Sequence, residues 1–213
     1  MQVLIGFQRQ LINNMKLESI NPKNNQIINS WETHNQSEVD SIIDNANNTY
    51  LEWRDTELSF RLSCLEDISI LLKERSKEYG VLMADEMGKP LSQGIAEVEK
   101  CALLCDYYFQ NASEFLKPKN IDTDNLKSFI TFQPIGLILG IMPWNFPFWQ
   151  VFRFAIPSLT AGNGAVLKHA SNVQGCASAI QSCFLDAGYY ENIFSNLCIP
   201  GNQVNPVIEN PKV

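Results

Sequence analysis

Gln133-Pro-Ile-Gly-Leu-Ile-Leu-Gly-Ile-Met-Pro-Trp-Asn-Phe-Pro147 holds a short, wholly apolar run, Leu137–Met142, that ends in a turn between two prolines. Such a run reads as a strand buried on both faces of a parallel sheet. A second stretch, Ala161-Gly-Asn-Gly-Ala-Val-Leu-Lys-His-Ala-Ser171, repeats the form, with an apolar strand at Ala165–Lys168 entered through glycines and left through a polar segment. Helical spacing fits Phe148–Ala161 and Val173–Ala187, a further strand fits Ile193–Cys198, and a last helical piece fits Val204–Glu209. This alternation predicts an α/β fold whose parallel sheet is joined by right-handed crossovers. Ligands of such sheets sit at the carboxyl ends of the strands, where both quoted stretches terminate.

Upstream the pattern is helical. From Ser37, Ser-Glu-Val-Asp has the form of a capping box with Asp in place of Glu, and Val39, Ile42, Ile43, Ala46 and Tyr50 recur at helical spacing. A second helical stretch runs over Glu57–Met87, with a break near Ser76 and Gly88 placed to stop it. A third, Ser92–Leu116, sets Ile95, Val98, Cys101, Ala102, Cys105, Tyr108 and Ala112 on one side. These helices are expected to pack as one layer. After Pro118, Ser128–Pro134 reads as a strand. Residues 1–15 are expected to be a poorly ordered extension.

Composition narrows the function classes. A net charge of -7 without a Lys/Arg cluster argues against nucleic acid or an anionic membrane as partner, and favours a small molecule. No apolar run reaches the roughly 20 residues of a membrane span, and the N-terminus lacks a basic start and cleavage site, so a cytoplasmic location is expected. The six cysteines lack disulfide-framework spacing and read as reduced thiols. Cys101 and Cys105 share a helical face, but neither of the two histidines, His34 and His169, falls near them, and no metal site is expected.

The two quoted stretches, in this order and at this separation, resemble the aldehyde dehydrogenase superfamily. Its members carry a Pro-Trp-Asn-Phe-Pro turn followed by a Gly-Asn…Lys-Pro-Ala-Glu/Ser segment. Asn21-Pro-Lys and Glu86-Met-Gly-Lys-Pro-Leu91 extend the likeness over residues 16–213. Within the family, Lys-His-Ala at 168–170 is similar to bacterial succinate-semialdehyde dehydrogenases. The resemblance implies the N-terminal part of the aldehyde dehydrogenase fold, incomplete. Residues 16–117 would be the helical part of the cofactor-binding domain, 118–135 a hairpin with an oligomerisation strand, and 136–213 a truncated βαβαβ Rossmann-like half, with the catalytic domain absent.

The resemblance also assigns roles. Asn145 offers an amide donor that could stabilise a carbonyl oxygen under attack; its other reading is a turn-shaping residue. Met142, Pro143, Trp144 and Asn145 line the strand end against which the family lays NAD or NADP, although Trp144 also reads as core filling. Lys168, His169, Ala170 and Ser171 form the second cofactor-binding segment. Lys168 suits an adenosine ribose or a phosphate, with a solvated surface lysine as its alternative. Ser171 stands where many members have Glu, which removes the repulsion of a 2′-phosphate and admits NADP without excluding NAD. His169 replaces the commoner Pro and is expected to shape the loop. Arg153 lies eight residues past Asn145 and could hold the far carboxylate of a semialdehyde through paired hydrogen bonds, or serve as a surface or ion-pairing residue.

The implied function is NAD(P)-dependent oxidation of an aldehyde, succinate semialdehyde, to its acid. The chemistry needs a thiolate and a general base, which the family carries further along. Cys176, Cys183 and Cys198 lack the catalytic-cysteine setting, so the chain alone is expected to be inactive. The alternative is a non-catalytic nucleotide-binding or interaction fragment. It would form a homo-oligomer or pair with a full-length aldehyde dehydrogenase.

Overall fold

The computed structural model describes residues 15–213. All but Met15 of the expected extension therefore lies outside the described residues. The chain opens with an antiparallel hairpin, β1 (Lys16–Ile20) and β2 (Ile27–Glu32), inside the span expected to be helical. Four helices follow: α1 (Gln36–Trp53), α2 (Leu58–Glu74), α3 (Ser76–Met87) and α4 (Leu91–Phe115). The capping box of α1 is set two residues earlier than Ser37. The Asn35 side chain accepts from the Glu38 amide at 3.0 Å, and Glu38 accepts from the Asn35 amide at 2.7 Å. This pairing satisfies two amides that a helix start otherwise leaves orphaned. The expected break near Ser76 falls at Arg75, and Gly88 ends α3 in the left-handed conformation at φ 74°, where a side chain would be strained.

Val39, Ile43, Ala46 and Tyr50 of α1, and Val98, Cys101, Ala102 and Cys105 of α4, face inward and join the core beneath the sheet. Trp53 is fully buried, stacked on Tyr189, and its indole donates to the Leu159 carbonyl at 2.9 Å. Burying so large a ring stabilises by about 2–3 kcal/mol, which anchors the helical layer to the sheet unit.

That unit comprises β5 (Leu137–Met142), α5 (Trp149–Thr160), β6 (Gly164–His169), a short 3-10 turn (Ser171–Val173), α6 (Gln174–Asp186), β7 (Phe194–Asn196) and α7 (Asn205–Ile208). The strands run parallel in the order β5-β6-β7. Central β6 is buried throughout, whereas the burial on both faces was expected of β5. Strand β5 differs: it is an edge, and Ile141 is exposed, because no neighbour among the described residues covers that side. The strand expected over Ser128–Pro134 shrinks to β4 (Phe129–Ile130), paired with β3 (Lys119–Asn120) in an isolated hairpin. Phe129, Ile130 and Phe132 are exposed, so no burial among the described residues extends the ladder.

Candidate active site

The register sets Ile141 beside Lys168 and Met142 beside His169, so the segments leaving β5 and β6 start as neighbours at the carboxyl end of the sheet. The first, Pro143–Phe148, is bent rather than helical, and α5 begins only at Trp149. The eight residues from Asn145 to Arg153 therefore do not lie on one continuous helix. Pro147 lies in the turn.

Two buried side chains from the helical layer fix this turn. Glu97 of α4 accepts from the amides of Phe148 and Trp149, both at 2.9 Å. A carboxylate there satisfies orphaned N–H groups and meets the positive end of the α5 dipole. Lys89 pairs with the other oxygen of Glu97 and also donates to the Asn145 carbonyl at 3.0 Å. Only 4% of Glu97 and 7% of Lys89 is exposed, so the charges neutralise one another away from water. With its backbone held from beneath, the turn presents Trp144, Asn145 and Phe146 outward. Trp144 is 52% exposed, which removes core filling as its role. The Asn145 side-chain amide makes no hydrogen bond among the described residues, and so remains free to donate to a ligand.

The turn after β6 is built likewise. Glu86 of α3, 2% exposed, accepts from the amides of Gly175 and Cys176 at 2.8 Å each, and from the Ser19 hydroxyl of β1. Gly175 leaves room for this carboxylate, since a Cβ there would lie 2.6 Å from a Glu86 oxygen and displace it.

His169 joins the two turns. It is fully buried; the Ala170 amide donates to Nδ1 at 2.8 Å and Nε2 lies 3.0 Å from the Pro147 carbonyl, which fixes the neutral, Nε2-protonated form. Burial pushes its pKa down to about 4, against the pull of the Pro147 and Met142 carbonyls. The side chain of His169 is thus spent within the protein and has no face left for a cofactor.

Lys168 is only 7% exposed, yet its ammonium has no hydrogen-bond or ion-pair partner among the described residues. Burial lowers its pKa, with no carboxylate nearby to restore it. Ser171, half-buried at the start of the 3-10 turn, likewise has a hydroxyl without a partner among them. Met142 and Ala170 are half-buried and pack against the core. Arg153 is exposed on α5 without an ion pair among the described residues. All six cysteines are unpaired and buried. Burial drives the thiols of Cys101, Cys105 and Cys176 well up, and those of Cys64 and Cys183 to about 11, so none is poised as a thiolate nucleophile. Among the described residues no His/Cys/Asp/Glu group could hold a metal ion, and no helix is long and apolar enough to cross a membrane.

Comparison with known families returns one described as "Aldehyde dehydrogenase family", matched over residues 11–213. The chain belongs to this family. It is 43% identical, over 93% of its own length and 44% of the relative's, to a probable succinate-semialdehyde dehydrogenase [NADP(+)] of Synechocystis. It is 37% identical, over 92% and 42%, to the succinate semialdehyde dehydrogenase [NAD(P)+] Sad of Escherichia coli. Among solved structures, succinic semialdehyde dehydrogenase from Streptococcus pyogenes in complex with NADP+ superposes with a TM-score of 0.89 at 31% identity, over 92% of this chain and 44% of that one. The α/β fold is therefore the aldehyde dehydrogenase fold in part. The chain spans less than half the length of these relatives.

Sequence reasoning missed the parts played by Glu97 and Glu86. A signal existed for Glu97, which falls on the apolar stripe of α4 between Gly94 and Cys101. A charge in such a stripe calls for buried partners. Glu86 and Lys89 stood out only as members of a motif, because their partners come from other elements.

Proposed function

We propose that this chain supplies the cofactor-binding and carbonyl-binding half of an NAD(P)-dependent aldehyde dehydrogenase acting on succinate semialdehyde. The observation that carries the proposal is that the segments leaving neighbouring strands at the carboxyl end of one sheet carry a free Asn145 amide and a nearly buried Lys168 without a partner among the described residues. An ammonium desolvated without a counter-charge fits a ligand bearing hydroxyls or phosphates, so the residues present suit NAD or NADP. When bound, that cofactor supplies the hydride acceptor.

In this reading Lys168 and Ser171 hold the adenosine end of the cofactor, and serine in place of a carboxylate admits a 2′-phosphate. Met142, Pro143 and Trp144 offer the surface beneath it, and Ala170 contributes backbone. The Asn145 amide donates to the aldehyde oxygen as negative charge develops there, and the Lys89–Glu97 pair keeps the turn from yielding. The Arg153 guanidinium donates a forked pair of hydrogen bonds to the far carboxylate. The thiolate and general base must come from residues other than the six buried cysteines described, so the 213 residues alone should show no turnover.

Cofactor titration followed by Trp fluorescence tests the reading. Lys168→Met should weaken NADP binding by about tenfold, or about 1.4 kcal/mol. Ser171→Glu should weaken NADP more than NAD. Unchanged affinities in both variants would sink the assignment. Exposed Phe129, Ile130 and Phe132 favour a second reading alongside the first, in which the β3–β4 hairpin pairs with another aldehyde dehydrogenase subunit.

A further inference from the structure

Beside the Asn145 turn lies a groove of about 260 Å³, lined by Lys89, Gln93, Ala96, Glu97, Lys100, Phe146 and Trp149. Its two lysines are not equivalent. The charge of Lys89 is taken up by Glu97, whereas Lys100 has no carboxylate partner among the described residues. Its ammonium sits 3.9 Å over the ring of Trp149. A cation–π contact at an exposed site holds an ammonium only weakly and leaves its donors open to an anion. Trp149 and Arg153 are four apart on α5 and so share a face, and a helical side chain covers the turn before its own Cα. Arg153 is exposed one turn after Trp149, also without an ion pair among the described residues. Lys100 at the groove and Arg153 one helical turn along α5 are thus two cations without a carboxylate partner among the described residues, in a chain whose net charge is -7.

We infer that Lys100 is a second specificity-determining residue, which with Arg153 clamps the far carboxylate of the semialdehyde across the edge of Trp149. The inference rests on the reading of Arg153 proposed above and adds to it a residue from the helical layer. Arginine supplies the planar fork, and the lysine supplies a point charge that can follow the carboxylate as it enters the groove. An aldehyde of the same length without the carboxylate meets two cations it cannot pair and loses this anchor.

The test is an NMR titration of the whole chain with 4-hydroxybutyrate, an inert carrier of the same carboxylate, and with uncharged 1,4-butanediol, read at the Trp149 indole N–H. The carboxylate should shift this signal saturably and the diol should not. Lys100→Met should raise the dissociation constant at least about threefold, equivalent to about 0.6 kcal/mol, and Lys100→Arg should restore it. Arg153→Met should also raise it. An unchanged constant in Lys100→Met together with a raised one in Arg153→Met overturns the role of Lys100 and spares that of Arg153. Absence of binding to the parent chain, or equal binding of the diol, overturns both.

Discussion

The turns after β5 and β6 are two solutions to one problem, and they differ in how charge is handled. Each carries the chain from a strand end into a helix, and each helix start is held by a buried glutamate from the helical layer, Glu97 for α5 and Glu86 for α6. Glu97 has a cation, Lys89, that also grips the Asn145 carbonyl. Glu86 has no ion-pair partner among the described residues and takes uncharged donors, the Ser19 hydroxyl and the Cys176 thiol, besides its two amides. A hydroxyl and a helix dipole suffice where the helix has only to start in place. Where a turn must present a side chain outward, a second grip on its backbone is added.

The largest expected effect breaks the Glu97 side of this comparison. Glu97→Ala strands the Lys89 ammonium and two amides, and should lower unfolding stability by about 3–5 kcal/mol in urea titrations. The double variant Lys89→Met, Glu97→Leu should cost less than Glu97→Ala alone, since no charge is left buried.

Acid should loosen the link between the turns. The folded pKa of His169, about 4, lies below its ordinary value of 6.5, so the folded state binds fewer protons than the unfolded chain between them. Its contribution is full above about pH 6.5 and is lost as pH falls toward 4, on the order of 3 kcal/mol in all. His169→Asn should flatten that slope in urea titrations across the window. The pKa of His34 is also lowered by burial, so a His34→Asn background isolates the effect.

On the other side, Glu86→Ala should cost about 2 kcal/mol, less than Glu97→Ala, because it orphans hydrogen-bond donors but no charge. Equal losses at both positions would remove the distinction. The smallest change, Ser19→Ala, should cost about 1 kcal/mol and show chiefly as faster amide exchange at Gly175 and Cys176.

The periodicity of α1 to α4 and the short apolar runs of β5 and β6 follow from local chemistry: one face of each helix and both faces of β6 must leave water. These were legible, as were Asn145, Lys168, Ser171 and Arg153 as candidates. The capping box of α1 was misplaced because Ser37 and Asn35 both match the pattern, and only Asn35 satisfies both orphaned amides. The strand at Ser128–Pro134 was overextended because β-prone residues need a partner surface, and its hairpin offers none among the described residues.

By itself, the sequence determined the α/β order, the strand ends that carry the candidate site residues and the membership of the aldehyde dehydrogenase family. The tertiary structure decided which side chains are spent inside and which remain free. His169 is consumed by the two turns and Lys89 by Glu97, while Asn145, Lys168 and Lys100 are left open. The physical reason is separation along the chain: Glu97 meets its amides across 51 and 52 residues, and Glu86 across 89 and 90. Burial and pairing at such distances are properties of packing, which no local pattern encodes.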